Sequence, residues 1–238
     1  MTGTLARRAA AEFTGTAFLV AAVVGSGIAA VRLSPGQTGL ELLESSLATG
    51  AVLTALILAL QPVSAAFNPV VTLIERALGA ITTKDAAALI VAQVSGGILG
   101  GAAANVMFGL APVTWSGHHR AGAGLWLSEV IATLGLVVVI FGTVRSGRAA
   151  HAGYAVGGYI AAAYWFTSST SFANPAVTIG RMFTASFAGI TPASAPLFIA
   201  MQLAGGLVGY GLIRVLYPDL AATATAAVAR PAAAPADG

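Results

Sequence analysis

The sequence predicts an all-α membrane protein with six transmembrane helices and two half-helices, arranged as an inverted repeat. Three observations predict it. The 238-residue chain is 57% hydrophobic and only 8% charged, whereas soluble domains carry about 25% charged residues. Its apolar runs are long enough to cross a bilayer. A polar Asn-Pro pair also interrupts the apolar sequence twice, in "AAFNPVVTLIER" (65–76) and in "SFANPAVTIGR" (171–181).

The first apolar run, about 9–31, spans a membrane, because about 20 apolar residues cross a hydrocarbon core roughly 30 Å thick. It is longer than the 7–15 residues of a signal-peptide core and reads as a retained helix. Further spans follow at about 43–62, 84–108, 123–144, 150–168 and 194–217. Two shorter apolar stretches, about 68–78 and 174–185, would cover roughly 16 Å each at 1.5 Å per residue, half a membrane. Each begins at Asn-Pro, where Asn caps a helix and Pro fits its first position. Both are therefore predicted to be half-helices that start near the middle of the bilayer.

Residues 1–218 read as a single membrane domain, with repeats at about 9–108 and 123–217. The tail, 219–238, is low in complexity and predicted to be disordered. Basic residues set the orientation. Arg7, Arg8, Arg76, Lys84, Arg145, Arg148, Arg214 and Arg230 fall on one side, against Arg32, Arg120 and Arg181 on the other. This predicts both termini in the cytoplasm and the chain in the cell (inner) membrane.

The repeat is legible in polar residues. "AEFTGTAFLVAAVVG" (11–25) aligns with "SEVIATLGLVVVIFG" (128–142), pairing Glu12 with Glu129 and Thr16 with Thr133. Asn68-Pro69 aligns with Asn174-Pro175, and "AQVSGGILGG" (92–101) with "MQLAGGLVGY" (201–210), pairing Gln93 with Gln202. The offsets are 117, 106 and 109, in the same order along both halves. Each half holds three spans, an odd number, so the halves are inverted relative to each other. Inverted repeats with broken helices place a substrate path at their interface.

Several functions are excluded. The chain has no cysteine, hence no thiolate chemistry. Its net charge is +3 with scattered basic residues, so no nucleic-acid surface is predicted. His118 and His119 lack a third ligand, so no metal site is predicted. No serine in a span has a histidine partner, so neither an enzyme nor a cofactor is expected.

What remains points to transport. Two half-helix N-termini meeting at the midplane focus positive potential there, a barrier to cations and protons. The amides of Asn68 and Asn174 can still donate to a neutral solute. Intramembrane carboxylates are functional candidates, and two uses are open to Glu12 and Glu129. Either they carry protons in an ion-coupled secondary transporter, or each accepts backbone N–H groups from an irregular loop that lipid cannot satisfy. Gln93 and Gln202 either line a pore or tie helices to loops. Gly96, Gly97, Gly100 and Gly101, with Gly205 and Gly209, form G-x-x-x-G pairs that let helices approach closely.

On these residues the chain resembles the aquaporin (major intrinsic protein) family over residues 9–217. The resemblance rests on the Glu12 and Glu129 motifs, Asn68-Pro69-Val70, Gln93, Asn174-Pro175-Ala176 and the paired glycines. It implies a passive channel for small neutral solutes, a homotetramer in the lipid bilayer with one pore per subunit, and loop support as the role of the two glutamates. The stretch "FANPAVTIGR" also resembles a bacterial subgroup associated with arsenic-resistance genes, which implies arsenous acid or methylated arsenicals as permeants.

Two positions depart from the family pattern. An arginine usually follows the second Asn-Pro-Ala; here Val177 does. The first motif ends in Val70 instead of alanine. Alignment places the selectivity constriction at Thr49, Ala162, Ser171 and Val177, all small and uncharged, which implies a wider opening; Trp165 and Phe166 stand close by if the fifth span is shifted. Arg181, four residues after Val177, lies on the same helical face and is the candidate pore-mouth residue. The alternative is an interface arginine that snorkels, and Arg76 sits in the comparable part of the first half-helix.

Overall fold

The computed structural model describes residues 3–218. The tail predicted to be disordered, 219–238, lies outside the described residues. The helices are α1 (Leu5–Leu33), α2 (Thr38–Leu60), α3 (Pro69–Ala77), α4 (Thr83–Met107), α5 (Ala123–Arg145), α6 (Ala152–Phe166), α7 (Pro175–Gly180) and α8 (Ala195–Leu216). Five of them, α1, α2, α4, α5 and α8, are long and apolar enough to cross a membrane. With 15 residues, α6 is shorter, about 23 Å, and a 3-10 turn, Ala149–His151, leads into it.

Large apolar side chains face outward while several polar and charged side chains are buried among the apolar core. Phe18, Leu207 and Val215 are exposed, while Glu12, Gln93, Glu129 and Gln202 are wholly buried. Lipid is the solvent that suits such a surface, and every polar group inside must then find a partner within the protein or in a water-filled path.

The half-helices begin where the sequence predicts. Asn68 and Asn174 are in extended conformation, and each side chain accepts from the backbone N–H two residues on, in Val70 and Ala176. The prolines stand in the first turn, where no N–H is missed. The predicted second half-helix, about 174–185, is in fact shorter: α7 ends at Gly180 and a 3-10 turn, Arg181–Phe183, follows. Two features account for this. Gly180 lies against the Gly97 backbone, and the Arg181 Nε donates to the Ala188 carbonyl of the loop that turns back beyond it. Likewise α6 stops at Phe166, short of the predicted 168, because the chain must fold back inward to deliver Asn174. Thr170 and Ser171 make that return at φ 62° and 49°.

Packing follows the repeat, with α1 laid along α4 and α5 along α8. Glycines permit the first contact on two sides. A Cβ on Gly100 would stand 3.0 Å from the Ala17 Cα in α1, and a Cβ on Gly97 would stand 2.7 Å from the Ala176 carbonyl oxygen in α7. So close backbone approach seats α4 between a spanning helix and a half-helix. Gly100→Val is expected to cost about 1–3 kcal/mol or more by overpacking. It should appear as a lowered unfolding midpoint and a lower yield of folded protein in detergent. An unchanged midpoint would mean that α1 and α4 can part at no cost.

Candidate solute pore

The two loops that precede the half-helices are held by the buried carboxylates. Glu12 accepts from Ala66 N at 2.9 Å and Phe67 N at 2.6 Å. Glu129 accepts from Phe172 N at 3.0 Å and Ala173 N at 2.9 Å. These are equivalent positions, two and one before each Asn. Phe67 and Ala173 have φ of 48° and 49°, a region most residues avoid, and the carboxylates hold them there. Gln93 Nε2 donates to Glu12 and to Thr72, each at 2.8 Å. Gln202 Nε2 donates to Glu129 at 2.7 Å and to Thr178 at 2.8 Å. Each glutamine thus ties a spanning helix to a half-helix. None of these four side chains lines the cavity described below.

The two loops meet across the middle. Asn68 Nδ2 donates to the Ala173 carbonyl at 2.8 Å, and Asn174 Nδ2 donates to the Phe67 carbonyl at 2.7 Å. An amide nitrogen carries two protons, so each keeps one for something else. Both asparagines line a cavity of about 520 Å³. Pro69 and Pro175 set the helix starts. Val70 and Ala176 do not line the cavity. Val70 instead packs with Ile74, Val137, Phe141 and Ile213, over Gly206. The absence of a side chain at position 206 accommodates its extra bulk, so this departure from the family pattern does not face the pore.

That cavity is long. At one end it reaches Arg8, at the start of α1, together with Gln61 and Glu75; this end, where α1 begins and α8 ends, is termed inner and the opposite end outer. It passes the asparagines and reaches Val177 and Arg181 at the other. A second, smaller cavity of about 200 Å³ lies beyond, lined by Thr38, Arg120 and Phe187 among others. Val23, Tyr164 and Arg181 belong to both, and therefore form the partition between pore and outer vestibule.

Of the four constriction positions inferred from sequence, Thr49, Ser171 and Val177 line the main cavity. Ala162 does not; it is exposed on the outer face of α6. Two residues on, Tyr164 takes that place, 5% exposed, with its hydroxyl 3.2 Å from Thr49 Oγ1. The Ser171 hydroxyl is buried with no protein partner among the described residues, which leaves it for solute.

Arg181 is 3% exposed and its guanidinium carbon lies 3.4 Å from the centre of the Phe172 ring. It does not snorkel to the surface. Nor does Arg76 correspond to it. The offset of 106 that relates Asn68 to Asn174 relates Glu75 to Arg181. Arg76 is exposed, and its Nε donates to Thr83 Oγ1 at 2.7 Å. The relation is present in the sequence, but the matching chemistry of two arginines obscures the register.

The chain is similar to known proteins in sequence and in fold. The chain matches the major intrinsic protein family over residues 2–168 and 153–236. It is 47% identical over 213 residues to aquaglyceroporin AqpS of Rhizobium meliloti (strain 1021), covering 89% of this chain and 91% of that protein. The X-ray structure of the aquaglyceroporin from Plasmodium falciparum superposes with a TM-score of 0.74 at 19% identity, covering 91% of this chain and 99% of that one. The second likeness is one of fold.

Proposed function

The chain belongs to the major intrinsic protein family, and from that premise we propose that it is a passive channel for small uncharged solutes, water and glycerol among them. One observation carries the reading: two asparagine amides, each with a proton to spare, face a single cavity that runs from the inner end to Arg181. A donor pair at the junction of two helix N-termini hydrogen-bonds neutral molecules and repels cations. The aquaglyceroporin name of the 47% identical relative supports glycerol as a permeant.

Selection falls at Thr49, Tyr164, Ser171, Val177 and Arg181. Val177 stands where the family usually has arginine, which leaves the wall beside Asn174 apolar, and arsenous acid is a further solute to test. The functional unit is a homotetramer with a pore in each subunit, set in the inner membrane with both termini cytoplasmic. Ion coupling through Glu12 or Glu129 is disfavoured, since both carboxylates are buried outside the cavity and occupied by loop N–H groups.

The test is stopped-flow swelling of proteoliposomes with water, glycerol, urea and arsenous acid. Solutes larger than water are expected to permeate several-fold above lipid background, unaffected by uncouplers. Water flow alone, without any of the three solutes, would overturn the proposal. Uncoupler-sensitive accumulation would establish the coupled transporter instead.

A further inference from the structure

The repeat places a charge seven residues after each asparagine, of opposite sign in the two halves: Arg181 in the second, Glu75 in the first. Seven residues put each roughly 10 Å from the centre. Both line the main cavity, Arg181 at its outer limit and Glu75 toward its inner end. Glu75 is not alone there. Arg8, on the wall of the same cavity, is 3% exposed.

Among the described residues the Arg8 side chain donates no hydrogen bond, and its Nε is buried without a partner. Its ion pair is with Asp85 at 3.8 Å, beyond hydrogen-bond distance. Nor does the Glu75 carboxylate accept a hydrogen bond from any described residue. The two do not pair with each other within 4.0 Å. A guanidinium has five donor protons and a carboxylate only acceptors, and buried polar groups are costly unless satisfied. The terminal nitrogens of Arg8 and the carboxylate of Glu75 are thus open to partners from the cavity that both residues line.

We propose that Arg8 and Glu75 form a second solute-binding station at the inner mouth, for uncharged molecules carrying adjacent hydroxyl groups. A hydroxyl both donates and accepts. In an adjacent pair, one oxygen can accept from Arg8 while the other hydroxyl donates to Glu75, replacing two waters at once. The two charges are opposite in sign, so the station carries no net charge and recognises solute through hydrogen bonds, with no net field to concentrate ions of one sign. The station thus adds discrimination for neutral polyols at the end of the pore opposite to Val177. It rests on the channel function proposed above and names a further part of its selectivity.

The test compares glycerol and water permeability in proteoliposomes of the full chain. Glu75→Leu is expected to lower the glycerol-to-water ratio five-fold or more and to raise the half-saturating glycerol concentration for tracer uptake. Glu75→Gln keeps an acceptor and should lower the ratio less than two-fold. Arg8→Met should act like Glu75→Leu; should it fail to fold, the Glu75 pair decides, since Glu75 is only partly buried. A folded Glu75→Leu channel with the parent's ratio overturns the station, as does Glu75→Gln falling as far as Glu75→Leu. A parent without flux of glycerol, urea or arsenous acid above lipid background overturns the channel reading itself, and the station with it; one that passes urea or arsenous acid but not glycerol overturns the station alone.

Discussion

Asn174→Asp is expected to make the channel leak cations, raising their permeability in proteoliposomes ten-fold or more. The change removes no helix cap, because Asp caps as well as Asn and its carboxylate can still accept from Ala176 N and Val177 N, as the amide oxygen does at 2.9 and 3.3 Å. It does delete the donor to the Phe67 carbonyl and adds a unit negative charge where α3 and α7 meet. At ~6 Å and an effective dielectric of ~20, a unit charge shifts the energy of a passing cation by about 3 kcal/mol, and about 1.4 kcal/mol is already ten-fold. Glycerol flux should fall at the same time, because a donor to solute has gone. Recovery of folded protein in detergent is the control. A folded Asn174→Asp channel as tight to cations as the parent would show that the barrier lies elsewhere, with Arg181 the next place to look.

The central machinery is legible in the sequence because polar residues inside apolar spans are expensive and therefore few. Glu12, Glu129, Gln93, Gln202 and the two asparagines pair by sequence alignment of the two halves alone, and they meet as equivalent sets of hydrogen bonds. The constriction is harder. The helix α6 is apolar all round, "AGYAVGGYIAAAYWF", so no periodicity says which face looks inward. The return loop, with positive φ at Thr170 and Ser171, displaces the count from Asn174, and so the count lands on Ala162 instead of Tyr164. The divide between pore and vestibule is beyond sequence altogether, since Val23, Tyr164 and Arg181 come from three distant segments. Glu75 is inconspicuous for a different reason: a carboxylate beside an exposed arginine looks like ordinary interface chemistry until the inverted repeat sets it opposite Arg181.

The second large effect is expected at that partition. Arg181→Ala should raise cation leak and the permeability of uncharged solutes larger than glycerol, each by about five-fold or more, with the fold retained. Removing the guanidinium opens the wall shared by the two cavities, and it takes away the only positive side chain in the partition. Folding should survive for a specific reason. The loop that Arg181 braces through the Ala188 carbonyl is also held by Arg120, whose guanidinium donates to the Gly189 carbonyl at 2.9 Å and the Phe187 carbonyl at 3.2 Å. Arg181→Lys separates charge from shape. An ammonium keeps the positive charge but cannot lie as a plane over Phe172, as the guanidinium does at 3.4 Å. Cation exclusion should therefore return in Arg181→Lys while the gain for large neutral solutes persists. Parent-like leak and parent-like permeability ratios in both variants would leave Arg181 as a brace for the outer loop, and selectivity would then rest on Thr49, Tyr164, Ser171 and Val177 alone.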